Sequence, residues 1–286
     1  MAFAQLSKVR LEYFKHGHGQ ERVVFIHGFQ ASAAIWRMVQ QALPEDRYVS
    51  IAINNRGAGA SQSPPQEADF SIPIFASDAF ELLAGLGWSD YTLVGHSLGG
   101  ATVAQFAVDH PEPVRGLVLL DPADPDGRGA SPTSGGHAPE ELLDRMMEAR
   151  RRRQSGDAPS DGIDASGAGA PAELMRQLAA DMRAAPERRL RGSMRSMFSL
   201  RLGERVKALP MPVLLACGDA DELIPLSAML ATWAKCPPGT GLHVWHGVGH
   251  SPNLDRPAEL AALLRRFIEA PAPARARGGA SLGKPG

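Results

Sequence analysis

Short apolar runs bounded by turn residues recur along this chain of 286 residues. They cover residues 23–26, 49–53, 92–94, 117–120, 213–216 and 242–245. Continuous apolar strands of this length are typical of a parallel sheet that is covered on both faces. Between them lie helical patterns, with apolar residues three or four positions apart, at 35–43, 74–86, 101–108, 226–234 and 257–268. Because strands and helices alternate, the sequence predicts an α/β fold with a mostly parallel central sheet and helices on both faces.

The alternation is interrupted in the middle of the chain. Residues 122–206 contain a loop rich in Gly, Pro and Ser and several helical patterns, but no run that resembles a strand. We therefore predict a helical insertion, or cap, over residues 122–206. It divides the α/β core into a first part, residues 1–121, and a second part, residues 207–269.

Two segments have compositions that are poor in large apolar residues. Residues 154–171 are rich in Gly, Ser, Ala and Asp, and residues 270–286 combine alternating Pro and Ala with Gly and Arg. Such segments bury too little apolar surface to offset the entropy lost on ordering. The sequence predicts a flexible loop within the cap at 154–171 and a disordered tail at 270–286.

Charge and hydropathy limit the partners of this chain. Thirty Lys and Arg residues are balanced by 31 Asp and Glu residues, for a formal net charge of -1, which does not favour binding to nucleic acid or to an anionic membrane. No apolar stretch approaches the roughly 18 residues that a membrane helix needs. The first residues lack the pattern of a signal peptide, and two cysteines cannot form a disulfide framework. We expect a cytoplasmic protein with a small-molecule partner; the sequence does not determine its oligomeric state.

The most specific short motif is Gly95-His96-Ser97-Leu98-Gly99, which matches the pattern G-x-S-x-G. It lies between a predicted strand and a predicted helix. A tight turn in this context lifts the serine hydroxyl above the edge of the sheet, and the N-terminal N–H groups of the helix point towards the reaction centre. Ser97 is therefore the candidate nucleophile.

Four further motifs follow the same order as in a known family. His27-Gly28-Phe29 follows a strand, Asn55-Arg56-Gly57-Ala58-Gly59-Ala60-Ser61 forms a glycine-rich turn, and two later loops run from Gly218 to Pro225 and from Gly247 to Pro252. Together with G-x-S-x-G, these motifs resemble the α/β-hydrolase superfamily over almost the whole core, in a branch that is similar to serine esterases and lactonases with a helical cap. Asn55 stands where the family usually has Asp, which predicts a weaker carboxylate brace in that turn.

The resemblance implies a catalytic triad of Ser97, Asp221 and His250. A serine hydroxyl becomes an effective nucleophile when an imidazole accepts its proton and a carboxylate holds that imidazole in one tautomer. The chain order of nucleophile, acid and base is the order of this fold. Asp219 and Asp121, which also follow predicted strands, remain alternative candidates for the acid.

The resemblance also implies an oxyanion hole. One donor is the backbone N–H of Leu98, which follows the nucleophile, and the other is the backbone N–H of Phe29, in the loop after an early strand. His27 and His96 belong to the motifs, but we expect them to stabilise turns and not to transfer protons. The chemistry requires no cofactor and no metal.

These residues predict a serine hydrolase that cleaves a carboxylic ester or lactone of a small, fairly apolar molecule, with water as the second substrate. Other reactions of the same triad remain open, namely thioester hydrolysis, hydrolysis of a carbon–carbon bond, and perhydrolysis without a cofactor. A member that binds a ligand but has lost catalysis is a further alternative. Specificity would reside in the predicted cap, and the sequence does not identify the substrate.

Overall fold

The computed structural model describes residues 1–127, 139–155 and 169–270, and in these ranges eight strands form one sheet. The order across the sheet is β1-β2-β4-β3-β5-β6-β7-β8. The pairs β1–β2 and β2–β4 are antiparallel, and all other pairs are parallel. The strands are β1 Ala2–Gln5, β2 Arg10–Gly17, β3 Glu21–Ile26, β4 Tyr48–Ile53, β5 Tyr91–His96, β6 Val114–Leu120, β7 Val213–Gly218 and β8 Gly241–Trp245. The predicted mostly parallel α/β sheet is therefore confirmed.

Helices cover both faces of the sheet. Side chains of α2 and α3 belong to the apolar cluster on one face, and side chains of α1 and α10 belong to the cluster on the other. Two short 3-10 helices, Ala33–Trp36 and Glu67–Phe70, complete these layers. The helices are α1 Arg37–Ala42, α2 Ile72–Gly85, α3 Leu98–Asp109, α4 Pro139–Ser155, α5 Ala172–Ala184, α6 Glu187–Ser199, α7 Glu204–Lys207, α8 Leu226–Trp233, α9 Pro252–Asp255 and α10 Pro257–Glu269.

The segment between β6 and β7 is helical in its described parts, which contain α4 to α7. A small apolar cluster joins α4 to α6, and Phe29 of the core packs against it; the buried members are Leu143, Met147, Ala185, Leu190 and Met194. The division into core and cap stays a prediction. Most of the loop predicted at 154–171 lies outside the described residues, which leave out 156–168. The same holds for the tail predicted at 270–286, of which only residue 270 is described.

The two edges of the sheet differ from the pattern expected of buried parallel strands. The strands β1 and β2 were not among the predicted apolar runs, because their apolar and polar residues alternate, as is typical of strands with one exposed face. At the other edge, Leu242 and Val244 of β8 are each 38% exposed, since β8 is the last strand of the sheet in the part of the chain that the structure describes. Within the described ranges, no helix combines the length and the apolar character needed to cross a bilayer.

Candidate active site

Ser97 occupies a strained turn between β5 and α3. Its backbone has φ 55° and ψ -121°, in a region that residues with a Cβ rarely adopt. Backbone hydrogen bonds to the end of β6 and the segment after it help to hold it there: its N–H donates to the carbonyl of Leu120 at 2.9 Å, and its own carbonyl accepts from the N–H of Ala123 at 3.0 Å. A Cβ at Gly95 would lie 2.1 Å from the carbonyl oxygen of Gly99, which explains the small residues of the motif.

The loop after β3 lies directly against this turn. A Cβ at Gly28 would be 3.0 Å from the Cβ of Ser97, so the glycine lets the loop approach closely without displacing that side chain. Phe29 comes next, and Gln30 has a positive φ of 60°. On the other side of Ser97, Leu98 is the first residue of α3, and its N–H has no acceptor within the helix. Phe29 and Leu98, which carry the two predicted oxyanion donors, directly follow Gly28 and Ser97 in the chain. Because Gly28 lies against Ser97, the two predicted donors belong to adjacent segments.

Asp221 and His250 meet beyond the carboxyl ends of β7 and β8. The Nδ1 of His250 lies 2.7 Å from Oδ2 of Asp221, whose side chain is 0% exposed, while that of His250 is 15% exposed. The Oδ1 of Asp221 accepts hydrogen bonds from the N–H groups of Leu223, at 2.7 Å, and Ile224, at 2.9 Å. Burial acts to raise the pKa of Asp221, but these three donors outweigh it and hold the pKa below its ordinary value. Asp221 is therefore the ionised partner of His250.

Two other histidines connect distant parts of the site. The Nε2–H of His96 donates to the backbone carbonyl of His250 at 2.6 Å, and the two rings are 4.8 Å apart between centroids. Nε2 of His27 accepts from the N–H of Asn55 at 3.2 Å, and its Nδ1–H donates to the carbonyl of Gly28 at 2.8 Å. Burial lowers the pKa of both histidines to about 3, so both are neutral. We predicted only local turn contacts, but His96 fixes the loop of His250, which is far away in sequence.

The two alternative acids occupy different positions. Asp219 bonds His246 at the surface, with 2.8 Å between Oδ2 and Nδ1, and also accepts from the N–H of Gly247 at 2.7 Å. Asp121, with 0% exposure, follows β6 and accepts from the N–H of Gly218 at 3.1 Å through Oδ1. Of the three candidates, only Asp221 is hydrogen bonded to His250.

The glycine-rich turn after β4 has a carboxylate brace that we did not predict. Oε2 of Glu12, on β2, accepts from the N–H of Ala60 at 2.8 Å and from Nδ2 of Asn54 at 2.7 Å. Glu12 on a neighbouring strand thus supplies a carboxylate to this turn, and the expectation that Asn55 weakens a brace there stays a prediction. The antiparallel pairing of β2 with β4 brings Glu12 to this place.

Contacts from α5 and α6 tie the helical segment to the loop after β3, and the sequence analysis missed them. Nη2 of Arg189 donates to the carbonyl of Ala31 at 2.9 Å, although the side chain is buried. Oδ2 of Asp181 accepts from the hydroxyl of Ser32 at 2.6 Å. Burial lowers the pKa of Arg189 to about 10, which leaves it charged at neutral pH. Arg189 lies in a helix with several other arginines, so no pattern distinguishes it in the sequence.

One group of side chains among the described residues has the composition of a metal site. The ligand atoms of Asp121, Asp221 and His250 lie within 4.8 Å of one another. However, Oδ1 of Asp221 already accepts from two backbone N–H groups, and Oδ2 faces Nδ1 of His250. These donors satisfy the carboxylate without a cation, so we interpret the group as a hydrogen-bonded network.

The strained serine at a strand-to-helix turn, followed in the chain by an acid and a histidine on later loops, defines a class of protein. Residues 21–257 match the family model of the alpha/beta hydrolase fold. The chain belongs to this family.

Individual relatives vary in their names. The chain is 28% identical over 249 residues to the non-heme chloroperoxidase CPO-A1 of Kitasatospora aureofaciens, covering 84% of this chain and 89% of that protein. Among solved structures, it is similar to an esterase from Exiguobacterium antarcticum, with a TM-score of 0.78, 22% identity, and coverage of 94% and 99% of the two chains. Est816, described as an N-acyl homoserine lactone degrading enzyme, matches with a TM-score of 0.72, 24% identity, and coverage of 93% and 100%. At such identities the two structures indicate a common fold and leave the substrate open.

Proposed function

We propose that this protein is a serine hydrolase that cleaves a carboxylic ester or lactone of a small, fairly apolar molecule through an acyl-enzyme on Ser97. The observation that carries this proposal is the 2.7 Å contact between Nδ1 of His250 and buried Asp221. His96, which directly precedes Ser97, donates a hydrogen bond to the backbone carbonyl of His250. A histidine oriented by a carboxylate beside a strained serine is the arrangement that activates a hydroxyl group.

The first half of the reaction forms the acyl-enzyme. Oγ of Ser97 attacks the carbonyl carbon of the ester, and its proton passes to Nε2 of His250. The negative charge of Asp221 stabilises the imidazolium, and the Nδ1–H bond keeps the ring in the productive tautomer. The N–H groups of Phe29 and Leu98 hold the tetrahedral oxyanion, and removal of one such donor typically costs about 10²–10³-fold in kcat. The carbon–oxygen bond then breaks, and the leaving alcohol takes the proton from His250.

The second half of the reaction releases the acid. A water molecule gives a proton to His250 and attacks the acyl carbon, and the same N–H groups hold the second oxyanion. The bond between that carbon and Oγ of Ser97 then breaks, and the proton returns from His250 to Oγ. Each step uses side chains and backbone groups of this chain, and the bonds formed and broken balance with water as the only co-reactant.

The surroundings of Phe29 favour an apolar substrate. Its half-buried ring packs between the core and the cluster that contains Leu190 and Met194. Apolar walls of this kind bury hydrocarbon surface of a ligand, and methionine adapts to irregular shapes. The esterase and the lactone-degrading enzyme with the same fold support an ester or lactone as the substrate class. Both cysteines are free and buried, which is consistent with the cytoplasmic location that we also propose.

Perhydrolysis is the second candidate, because a chloroperoxidase is among the relatives. In that reaction hydrogen peroxide takes the place of water in the attack on the acyl-enzyme and releases a peracid. A panel of aryl esters, assayed for acid release with and without hydrogen peroxide, separates the two activities.

The test of the proposal is Ser97→Ala. We expect the variant to lose turnover of a p-nitrophenyl ester by about 10⁵-fold or more, because no nucleophile remains. A fluorophosphonate probe should label the wild-type protein on Ser97 and fail to label the variant.

The matched control is Ser7→Ala. Ser7 lies in the exposed turn between β1 and β2, where its hydroxyl bonds Glu81. This variant should keep full labelling and full turnover. Undiminished hydrolysis by Ser97→Ala would refute the proposal, and an absence of labelling in the wild-type protein would favour a ligand-binding member without catalysis.

A further inference from the structure

A second carboxyl group lies beside the acid of the proposed triad. Asp121 follows β6, next to β7 in the sheet, and its side chain is completely buried. Its N–H donates to the carbonyl of Ala216 at 2.9 Å, and its Oδ1 accepts from the N–H of Gly218 at 3.1 Å. The ligand atoms of Asp121, Asp221 and His250 lie within 4.8 Å of one another, so the carboxyl group of Asp121 is adjacent to the carboxylate of Asp221.

The two carboxyl groups receive unequal numbers of N–H donors. Asp221 accepts from His250, Leu223 and Ile224. Oδ1 of Asp121 accepts from the N–H of Gly218. Oδ2 of Asp121 is buried, and no N–H or O–H group of the described residues donates to it. Two adjacent carboxyl groups in a buried site cannot readily both ionise, and the group with fewer donors retains the proton. The donor set therefore assigns the negative charge to Asp221.

The other groups around Asp121 do not supply a positive charge that would reverse this assignment. His96, at the end of β5, is neutral because burial lowers its pKa to about 3. Cys217, on β7, stays a thiol because burial raises its pKa to about 12. Asp219 is negative, and His250 is already bonded to Asp221. None of the ion pairs found within the described ranges joins a Lys or Arg side chain to Asp121.

We infer that Asp121 is a positioning residue of the proposed triad: a neutral carboxylic acid whose Oδ2–H donates to the carboxylate of Asp221 and fixes the orientation of that carboxylate towards His250. This inference rests on the proposed function, since it takes Asp221 to be the triad acid. Burial and the charge of Asp221 raise the pKa of Asp121 well above its ordinary value, which agrees with a retained proton. The cluster then carries one negative charge in the resting enzyme.

The main experiment compares Asp121→Asn with Asp121→Ala. The amide of Asn can still donate to Asp221 and accept from the N–H of Gly218, and it leaves the charge unchanged. We expect Asp121→Asn to keep kcat for a p-nitrophenyl ester within about threefold. Asp121→Ala should lose about tenfold to a hundredfold in kcat with little change in KM, because a displaced Asp221 misorients His250.

The pH profile separates a neutral Asp121 from an ionised one. With Asp121 protonated, the Asn variant should leave the acidic limb of kcat/KM where it is in the wild-type protein. If Asp121 were ionised, the substitution would remove a negative charge near His250 and move that limb to lower pH by about one unit or more. Such a shift, or full kcat in Asp121→Ala, overturns the inference.

Infrared spectroscopy gives a readout that does not depend on activity. The difference spectrum between wild-type protein and Asp121→Asn at neutral pH should show the loss of a protonated carboxyl band. Loss of carboxylate bands alone overturns the inference even if Asp121→Ala does not fold. Failure of the proposed function would appear instead as hydrolysis that survives Ser97→Ala, whatever the infrared result.

Discussion

Asp221 with His250 and Asp219 with His246 form two aspartate–histidine pairs at the carboxyl ends of β7 and β8. The distances between Nδ1 and the carboxylate oxygen are nearly equal, 2.7 and 2.8 Å. The surroundings differ. The side chains of Asp221 and His250 are 0% and 15% exposed, whereas those of Asp219 and His246 are 28% and 98% exposed.

Nearly equal contact distances thus occur in two very different surroundings, and the surroundings decide what each contact can do. At the surface, water competes for both partners and dissolved ions screen their attraction, so the pair adds little to stability. In the buried pair, the same bond forms where few other partners are available, so it holds the ring in one orientation. Hydrogen bonds from His250, Leu223 and Ile224 hold the pKa of Asp221 below its ordinary value in spite of burial, whereas the side chain of Asp219 is partly exposed to water.

Of the changes within the two pairs, the largest expected effect follows from breaking the buried pair. Asp221→Asn keeps the size of the side chain but removes its charge and favours the wrong tautomer of His250. We expect kcat for an aryl ester to fall by about 10³–10⁴-fold, in line with the loss of the acid in other triads. Steady-state kinetics measure this effect, and fluorophosphonate labelling should slow in parallel. A loss below about tenfold would show that another group orients His250.

A second effect concerns acid unfolding. The folded-state pKa of Asp221 is lowered, so its contribution to stability is present above the unfolded pKa, about 4, and is lost as pH falls through the folded pKa. The difference in denaturant midpoint between wild-type protein and Asp221→Asn should therefore shrink as pH falls below about 4. Chemical unfolding between neutral and acidic pH measures it, and a difference that is independent of pH would contradict the assigned charge.

The smallest effect is expected from the exposed pair. Asp219→Asn retains an oxygen that accepts from the N–H of Gly247 but loses the charge beside His246. The hydrogen bond from His246 lowers the pKa of Asp219, as that from His250 lowers the pKa of Asp221. Water reaches the pair of Asp219 and His246, however, and weakens the interaction. We expect kcat/KM to change by less than about twofold, and any decrease in the thermal midpoint to disappear at about 1 M salt. A large loss of activity would mean that the loop of Asp219 also positions Asp221.

Much of the fold and the outline of the site could be predicted from the sequence. The apolar runs identified the strands of the parallel part of the sheet, because burial on both faces requires continuous apolar residues. At β1 and β2 this rule failed, because strands with an exposed face alternate. The turn around Ser97 was predictable because its glycines are required by close contacts within a few residues, such as that between Gly95 and Gly99.

Contacts between distant residues could not be predicted in the same way. The bond from His96 to the carbonyl of His250 and the brace from Glu12 to Ala60 join segments with no common local pattern. The bond from Arg189 to the carbonyl of Ala31 depends on how α6 packs beside the loop after β3.

The sequence by itself determined the α/β class, the strained turn of Ser97 and the chain order of the candidate triad, because these follow from periodicity and from motifs of a few residues. It left three aspartates as candidates for the acid. The tertiary structure alone decided that Asp221 contacts His250, that Asp219 pairs with the exposed His246, and that the carboxyl group of Asp121 lies close to that of Asp221. The physical reason is that adjacent strands β6, β7 and β8 end at one edge of the sheet, and the burial and hydrogen-bond donors at each position there set the charge that a carboxyl group carries.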